Sequence, residues 1–297
     1  MNQQRPSHIA RDLSYASSAN TRGGRAMIRM MENATGRLQL IRAARGYEGE
    51  VAQGADFWNV ICARYKLNLS VVGGTLEHIP RHGPLILVAN HPYGILDGLM
   101  MGQILSQRRG GNFKILANSV FRKSPDLERA VLPISFDDTK EAAKQNLATR
   151  SAALDYLGAG GAMGVFPGGT VSTSARPFSR PADPEWRRFT AKMVAKSGAT
   201  VVPVFFEGSN SRMFQLASHL HATLRLGLLL REFRARVGTD VRVVIGAPIC
   251  ADQLARYKQD PKSCMDFLRK ATYDLSPTPL ASRVLGRDFE VRHKRKD

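Results

Sequence analysis

Short apolar runs that alternate with longer amphipathic stretches constrain the fold of this chain more than any other feature. The strand-like runs are LNLSVVG, LILVAN, FKILAN, AMGVFPG, TVVPVFF and DVRVVIGAPI. Stretches with helical spacing of apolar residues lie between them, among them DGLMMGQILSQRR, TKEAAKQNLATRSAALDYLGAG and PEWRRFTAKMVAKSG. Continuously apolar strands that alternate with helices are typical of a parallel sheet buried between helical layers. We therefore predict an α/β fold with a mostly parallel central sheet flanked by helices.

The ends of the chain depart from this alternation. Residues 1–25 are polar, dotted with Arg and without periodicity, which predicts a disordered basic arm. Residues 26–66 contain an amphipathic stretch weakened at Gly36 and a second one, ADFWNVICARYK. They predict N-terminal helices that pack on or beside the domain. Residues 67–285 form the main domain, and residues 286–297 form a basic tail.

Cysteine use and hydropathy bear on the compartment. Cys62, Cys250 and Cys264 are scattered without CxxC spacing, which indicates a reducing compartment and excludes a disulfide framework or a cysteine-based zinc site. No apolar run approaches the roughly 18 residues that a membrane-spanning helix needs. The N-terminus also lacks the apolar core of a secretory signal. We predict a cytoplasmic protein that is soluble or peripheral on the cytoplasmic face of the membrane.

Charge points to anionic partners. The chain has 43 Lys and Arg against 25 Asp and Glu, a formal net charge of +18. Such a field attracts nucleic acid, an anionic membrane or an acidic carrier protein. Aromatic residues make up only 7% of the chain, which does not favour nucleic-acid stacking. The stretch SRMFQLASHLHATLRLGLLLREFRARVG predicts one long helix, either a membrane-surface helix with flanking Arg or ordinary core cover.

The histidine of LILVANHPYGILDG lies where a strand should end. Pro92 and Gly94 favour a turn that folds Asp97, in the first helical turn, back onto the imidazole of His91. The carboxylate would then fix the tautomer and leave the other ring nitrogen free as a base. An open alternative is that Asp97 only caps the helix and that His91 is an ordinary polar residue at the end of a strand. A metal site of His82, His91 and Asp97 is a weaker one, so no metal is expected.

A second loop, VFPGGTVSTSARPFSR, has the composition of an anion site. The consecutive glycines Gly168 and Gly169 allow backbone N–H groups to converge, and the Thr170 hydroxyl and the cations Arg176 and Arg180 follow. A common turn in an ordinary polar loop is the alternative. The sequence has no GxSxG, GxxxxGK, complete GxGxxG or HExxH motif. It therefore does not favour a serine hydrolase, a P-loop nucleotidase or a zincin metalloprotease.

The blocks NHPYGILDG, VFRKSP, VFPGGT and VVPVFF, in this order, resemble the four blocks of the glycerolipid acyltransferases, the lysophosphatidic-acid-acyltransferase-like superfamily. The resemblance covers about residues 70–250 and makes residues 67–285 the acyltransferase domain. It implies that His91 and Asp97 are the catalytic pair. It also implies that the second and third blocks bind the acceptor, often through its phosphate. The implied substrate-binding residues are Asn90, Gly94, Arg122, Phe166, Pro167, Gly168, Gly169 and Thr170.

Two departures from the family pattern bear on the acceptor. Five residues, not the usual four, separate His91 from Asp97, which is similar to a haemolysin-like bacterial branch. FEGSNSRMFQLASHL also resembles that branch. Gly168 stands where the family usually has Glu, so a carboxylate that would bind the acceptor hydroxyl is missing. The acceptor therefore stays open between a lysophospholipid and a lyso-aminolipid such as lyso-ornithine lipid.

The function expected from this resemblance is an acyltransferase of lipid metabolism and phospholipid biosynthesis. It would move a fatty acyl group from acyl-CoA or acyl-carrier protein, as co-substrate, to a lysolipid hydroxyl, with no cofactor. An anionic membrane surface is the expected further partner, and nucleic acid is not. Two alternatives stay open: a lipid-ester hydrolase that uses the same His/Asp pair, and a non-enzymatic basic protein that binds nucleic acid.

Overall fold

The computed structural model describes residues 14–19, 21–118, 125–135, 139–281 and 283–289. In chain order the strands are β1 Asn68–Gly74, β2 Leu85–Ala89, β3 Phe113–Asn118, β4 Val131–Ile134, β5 Ala162–Val165, β6 Thr173–Ser174, β7 Pro181–Ala182, β8 Thr200–Phe206 and β9 Asp240–Ile245. The helices are α1 Arg22–Thr35, α2 Arg37–Ala43, α3 Tyr47–Ala52, α4 Phe57–Arg64, α5 Ile95–Arg109, α6 Pro125–Ala130, α7 Lys140–Gly158, α8 Phe189–Ser197, α9 Arg212–Leu220, α10 Ala222–Arg234, α11 Ala251–Ala255 and α12 Pro261–Tyr273, and short 3₁₀ turns span Tyr15–Ser18 and Leu76–His78.

A seven-stranded sheet with the order β1-β9-β8-β2-β5-β3-β4 forms the centre of the molecule. All neighbouring strands run parallel except β8 and β9, which are antiparallel. The predicted α/β fold with a mostly parallel sheet and flanking helices is therefore confirmed. The short strands β6 and β7 form a separate antiparallel hairpin.

Both faces of the sheet are buried, which explains the continuous apolar runs in the sequence. All five residues of β2 have 0% exposure. Leu85 and Leu87 pack in the cluster that includes side chains from α4 and α5. Ile86 and Val88 point to the opposite face and pack in the cluster that includes side chains from α7, α8 and α12. Alternate side chains of β2 thus pack against the two helical layers on opposite faces of the sheet.

The first N-terminal helix, α1, packs on α10. Thr21 caps α1 by accepting a hydrogen bond from the Gly24 N–H. The helix ends at Gly36, whose φ of 127° is a left-handed value that favours glycine. Residues 1–13 and 20 of the predicted arm lie outside the described residues. Ser14 and Tyr15, within the same range, are attached to α1, because the buried carboxylate of Glu32 accepts hydrogen bonds from Ser14 Oγ and Tyr15 N.

The C-terminal segment also stays attached beyond the predicted domain boundary. The N–H of Gly286 donates to the carbonyl of Asp183, and the N–H of Arg287 donates to the carbonyl of Thr173. These bonds fix the chain against the β6–β7 hairpin. Residues 290–297 of the predicted basic tail lie outside the described part of the chain.

The single long helix predicted after β8 is wrong. The chain forms α9 and α10 with an extended residue between them, His221, at φ −158° and ψ 140°. The His221 Nδ1 atom accepts from the Thr223 N–H and so caps the second helix. The apolar residues of this stretch therefore divide into two groups. Phe214 and Leu228 are buried in the core, whereas Met213, Leu216 and Leu220 are exposed.

The strand directions place the sequence blocks along one edge of the sheet. Strands β2, β3, β5 and β8 run parallel to one another, so their carboxyl ends meet at the same edge. The loop with His91 follows β2, and the glycine-rich loop follows β5. Ligands of open α/β sheets bind beyond such ends. Arg122 follows β3 in the sequence and lies outside the described residues.

Candidate active site

The end of β2 is fixed by a side chain rather than by further strand pairing. Asn90 donates from Nδ2 to the Phe206 carbonyl at 2.9 Å and accepts at Oδ1 from the Phe206 N–H at 2.7 Å. This pair ties the carboxyl ends of β2 and β8 together immediately before His91. Asn90 is buried and its amide is used in these bonds, so it positions the turn that follows.

The turn folds Asp97 back onto His91, as the spacing predicts. Gly94 has a φ of 92°, and α5 begins at the next residue. The Asp97 Oδ2 atom accepts hydrogen bonds from the N–H groups of Tyr93 at 2.8 Å and Gly94 at 2.9 Å. The His91 Nδ1 atom lies 3.0 Å from the same oxygen. The geometry of this contact is not that of a well-formed hydrogen bond, and the contact becomes an ion pair only when the ring is protonated.

The electrostatics of the pair follow from burial. The side chain of Asp97 is fully buried, whereas that of His91 is 18% exposed. Burial raises the pKa of Asp97 above its usual value, because desolvation outweighs the lowering by His91 and by the two backbone N–H groups. A carboxylate in this position is stabilised by a positive charge on the neighbouring imidazole.

The imidazole of His91 is also held by stacking. Its ring lies 4.2 Å from that of Phe166, with 25° between the planes. Phe166 follows β5, so the first and third sequence blocks meet at this contact. The Nε2 atom of His91 makes no hydrogen bond to the described part of the chain. Since the side chain is partly exposed, this nitrogen is available to a substrate.

The glycine-rich loop wraps around the His91 turn. Gly169 has a φ of 71°, and its N–H donates to the Phe166 carbonyl at 3.0 Å. The Pro167 carbonyl accepts from the Arg187 N–H, and the Ser172 N–H donates to the His91 carbonyl at 2.7 Å. The Gly169 N–H is therefore used inside the loop. Of the remaining predicted loop residues, Gly168 lies next to Asp183, and the Thr170 hydroxyl accepts a hydrogen bond from Arg225.

The buried cation Arg225, which the sequence does not predict as part of the site, forms hydrogen bonds to the glycine-rich loop. Arg225 on α10 donates to Thr170 Oγ1 at 3.0 Å, to Thr173 Oγ1 at 2.6 Å and to the Val171 carbonyl at 2.8 Å. Its guanidinium also lies over the ring of Phe214. Burial lowers the pKa of Arg225 to about 9. No local signal marks this Arg, because 55 residues separate it from Thr170.

The buried carboxylate of Asp183 is the second feature of the site that the sequence does not predict. Its Oδ1 atom accepts from the backbone N–H of His91 at 3.1 Å and from the Ser172 hydroxyl. Its Oδ2 atom accepts from the indole N–H of Trp186 at 2.9 Å. Asp183 has 0% exposure and follows the β6–β7 hairpin.

The other predicted residues differ in how near they lie to this centre. Arg176 and Arg180 belong to the exposed β6–β7 loop, where Arg180 donates to the Pro279 carbonyl and lines a cavity together with Asn90, Pro92 and Ser172. His82 precedes β2, at the opposite end of the strand from His91. Among the residues that the structure describes, no three His, Cys, Asp or Glu side chains group as metal ligands. Arg122 is outside the described residues.

Comparisons with known proteins give the family. A family model described as Acyltransferase matches residues 56–280. A lyso-glycine lipid O-acyltransferase of Phocaeicola vulgatus is 27% identical over 228 residues, which span 75% of this chain and 78% of the relative. A second, from Bacteroides thetaiotaomicron, is 29% identical over 161 residues, which span 54% of this chain and 56% of the relative. The crystal structure of the 1-acyl-sn-glycerophosphate acyltransferase of Thermotoga maritima aligns with a TM-score of 0.47 and 16% identity over 75% of this chain and 78% of that one.

The family match covers more than half of the chain and contains all four sequence blocks. It also contains the His91 turn, the glycine-rich loop and the strands that position both. The resemblance to the lysophosphatidic-acid-acyltransferase-like superfamily is thereby confirmed. The chain belongs to the acyltransferase family and is an enzyme of acyl transfer.

Proposed function

We propose that this enzyme transfers a fatty acyl group from a thioester, acyl-CoA or acyl-carrier protein, to a hydroxyl of a lysolipid, with His91 as the general base. The observation that supports the mechanism is the contact of His91 Nδ1 with the buried Asp97 carboxylate at 3.0 Å. That contact engages one ring nitrogen and leaves Nε2 free beside the glycine-rich loop. A base oriented in this way is what attack by a hydroxyl on a thioester needs.

The chemical step runs directly between the two substrates. His91 Nε2 accepts the proton of the lysolipid hydroxyl while the hydroxyl oxygen forms a bond to the thioester carbonyl carbon. The tetrahedral intermediate collapses, the carbon–sulfur bond breaks, and the imidazolium returns its proton to the thiolate. Asp97 stabilises the imidazolium between these events, because opposite charges in contact attract strongly in a buried site. No acyl-enzyme is formed.

An amino-acid-headed lysolipid is the acceptor that we favour. Both curated relatives are named lyso-glycine lipid O-acyltransferases. The missing Glu at Gly168 also sets this chain apart from the family members that use lysophosphatidate. Head-group recognition falls to Arg122 in the second block and to the loop of Gly168, Gly169 and Thr170, because a cation and a glycine-rich turn suit an anionic group.

The enzyme meets its lipid substrates at the cytoplasmic face of an anionic membrane. Within the described ranges, no helix is long and apolar enough to cross a bilayer. Exposed apolar side chains lie on two amphipathic helices that both pack on α10: Met27 and Met30 on α1, and Met213, Leu216 and Leu220 on α9. Arg and Lys give the chain its net charge of +18. Apolar side chains beside cations are typical of peripheral membrane surfaces.

The test is a lipid assay with purified protein. Acyl-CoA and acyl-carrier protein are each offered with lyso-glycine lipid, lyso-ornithine lipid, lysophosphatidate and other lysophospholipids, and the products are identified by mass spectrometry. We expect a diacylated product that forms fastest with an amino-acid-headed lysolipid. Release of free fatty acid without an acylated product would identify a hydrolase and contradict the proposal.

A further inference from the structure

We propose that Asp183 is a positioning residue of the active site, whose buried carboxylate holds the backbone of His91 in the space that Gly168 leaves open. The proposal rests on the assignment of His91 as the general base. Asp183 has 0% exposure and therefore cannot touch a substrate directly. It acts by holding the backbone of His91 and the loop that covers it.

The contacts of Asp183 join three parts of the site. Its Oδ1 atom accepts from the His91 N–H at 3.1 Å and from the hydroxyl of Ser172. Ser172 in turn donates its own N–H to the His91 carbonyl at 2.7 Å. The backbone of His91 is therefore held at both its N–H group and its carbonyl group, the first by the Asp183 carboxylate and the second by the Ser172 N–H. The Oδ2 atom accepts from the Trp186 indole at 2.9 Å, which fixes the plane of the carboxylate.

The backbone of Asp183 is anchored as firmly as its side chain. Its N–H donates to the hydroxyl of Tyr273 at 2.7 Å, and its carbonyl accepts from Arg269 Nη2 at 3.0 Å. Both partners belong to α12. The carboxylate thus transmits the position of the C-terminal helix to the catalytic histidine, which lies 92 residues earlier in the sequence.

The absence of a side chain at Gly168 is what makes room for this carboxylate. A Cβ atom at Gly168 would lie 3.2 Å from Asp183 Cβ, 3.3 Å from Cγ and 3.4 Å from Oδ2. A Glu at this position, as the family pattern has it, would press on the Asp183 carboxyl and bring a second negative charge to it. Gly168 and Asp183 are therefore a matched pair, in which the glycine leaves space for a buried carboxylate that holds His91 and does not take over the contact with the acceptor.

The first test is Asp183→Asn, with Asp266→Asn, at an exposed carboxylate on α12, as its matched control. An Asn side chain at position 183 cannot accept at both ends, so its NH₂ group must face either the Trp186 N–H or the His91 N–H. We expect turnover to fall roughly 10- to 100-fold, as for small misplacements of a catalytic group, with the KM values of donor and acceptor nearly unchanged. Asp266→Asn should keep the wild-type turnover, and Trp186→Phe alone should lose less turnover than Asp183→Asn. The double variant should recover part of the loss, because the amide oxygen can then stay on His91 while the NH₂ group faces an apolar ring.

A second readout does not depend on activity. Hydrogen–deuterium exchange of the peptide that contains His91 should rise in Asp183→Asn, whereas exchange of β3 should not. This measurement tests the positioning role even if the wild type proves inactive toward every lysolipid. If Asp183→Asn does not fold, Ser172→Ala should show the same pattern with a smaller loss of turnover. Unchanged exchange at His91, or a loss of turnover that only follows the folded fraction, would overturn the proposal.

Discussion

The two oxygens of Asp97 have different surroundings. Oδ2 accepts from the N–H groups of Tyr93 and Gly94 and lies against His91, whereas the buried Oδ1 has no hydrogen-bond partner among the residues that the structure describes. A carboxylate that is desolvated and only partly satisfied is costly. A positive charge on His91 would offset part of this cost, which is the electrostatic role that the proposed mechanism gives to Asp97.

Asp97→Asn separates this electrostatic role from a capping role. The amide oxygen can replace Oδ2 toward both backbone N–H groups, and the NH₂ group takes the place of the unpartnered Oδ1. We expect turnover to fall on the order of 10²- to 10⁴-fold, because the amide cannot compensate an imidazolium. Asp266→Asn, at an exposed position on α12, is the control for loss of one negative charge. Full activity of folded Asp97→Asn would contradict the role.

The stability of the same variant should depend on pH with a defined sign. Burial raises the pKa of Asp97, so between the unfolded and folded pKa values the folded protein holds a proton that the unfolded chain has lost. The free energy of unfolding of the wild type therefore falls as the pH rises through the raised pKa, whereas that of Asp97→Asn does not change for this reason. We expect the melting temperature of the variant to rise relative to that of the wild type as the pH increases from about 4. Thermal melts across pH provide the check, and a gap that narrows with pH would contradict it.

Arg122 tests the second block, whose structure lies outside the described residues. If its guanidinium binds the acceptor head group, Arg122→Ala should raise the acceptor KM about 10-fold or more and largely spare the turnover number. Initial rates at varied acceptor and fixed donor provide the measurement, with donor KM as the internal control. An unchanged acceptor KM would remove Arg122 from head-group binding, and Lys123 and Arg176 would be the next candidates.

At the scale of elements, the sequence predicts what depends on local pattern. Strands β3 and β8 have the bounds of the runs FKILAN and TVVPVFF, because both faces of the sheet are buried and the runs are apolar throughout. The reversal of β9 and the short strand β4 were not predicted, since strand direction and pairing depend on distant partners. The break at His221 was missed because it has no Gly or Pro and depends on a side-chain cap.

The same limit applies to the site. His91 and Asp97 are six positions apart, so a local turn predicts their contact. Asp183 and Arg225 reach the loops of the site across 92 and 55 residues, through hydrogen bonds that no spacing rule contains. Sequence patterns therefore predict the contact of His91 with Asp97, whereas the residues that hold this pair in place can be found only in the folded chain.

The packing of α4 on α5 depends on one glycine. A Cβ atom at Gly102 would lie 2.1 to 2.4 Å from ring atoms of the buried Trp58. Gly102→Ala should therefore destabilise the fold by roughly 1–3 kcal/mol, as overpacking does. Gly98→Ala is the matched control on the same helix, because a Cβ there would meet nothing within 4 Å. It should stabilise by up to about 1 kcal/mol through helix propensity. Denaturant unfolding of both variants measures the difference, and equal effects would contradict this account of the packing.

At the scale of the whole molecule, the net charge and the exposed apolar residues are the features on which the proposed membrane contact rests. We expect the protein to co-sediment with phosphatidylglycerol vesicles at low salt, to be released as salt rises, and to bind phosphatidylcholine vesicles weakly. The double substitution Leu216→Ser and Leu220→Ser on α9 should weaken binding, because these exposed side chains would enter the interface.

Leu147 provides the control for that experiment. It is 68% exposed on α7, a helix that packs on β4 and β5, so Leu147→Ser removes exposed apolar surface away from α9. Vesicle binding should be unchanged in this variant. Failure of the wild type to bind anionic vesicles at low salt, or equal losses in the α9 and α7 variants, would contradict the proposed membrane surface.

The central claim, that His91 is the base of the acyl transfer, is tested most directly by the turnover number of His91→Ala. Thermal melts and initial rates are measured on the same preparations, with His82→Ala, an exposed histidine before β2, as the control. We predict a loss on the order of 10²- to 10⁴-fold for His91→Ala with an unchanged melting curve, and near wild-type turnover for His82→Ala. Near-normal turnover by soluble, folded His91→Ala would contradict the mechanism.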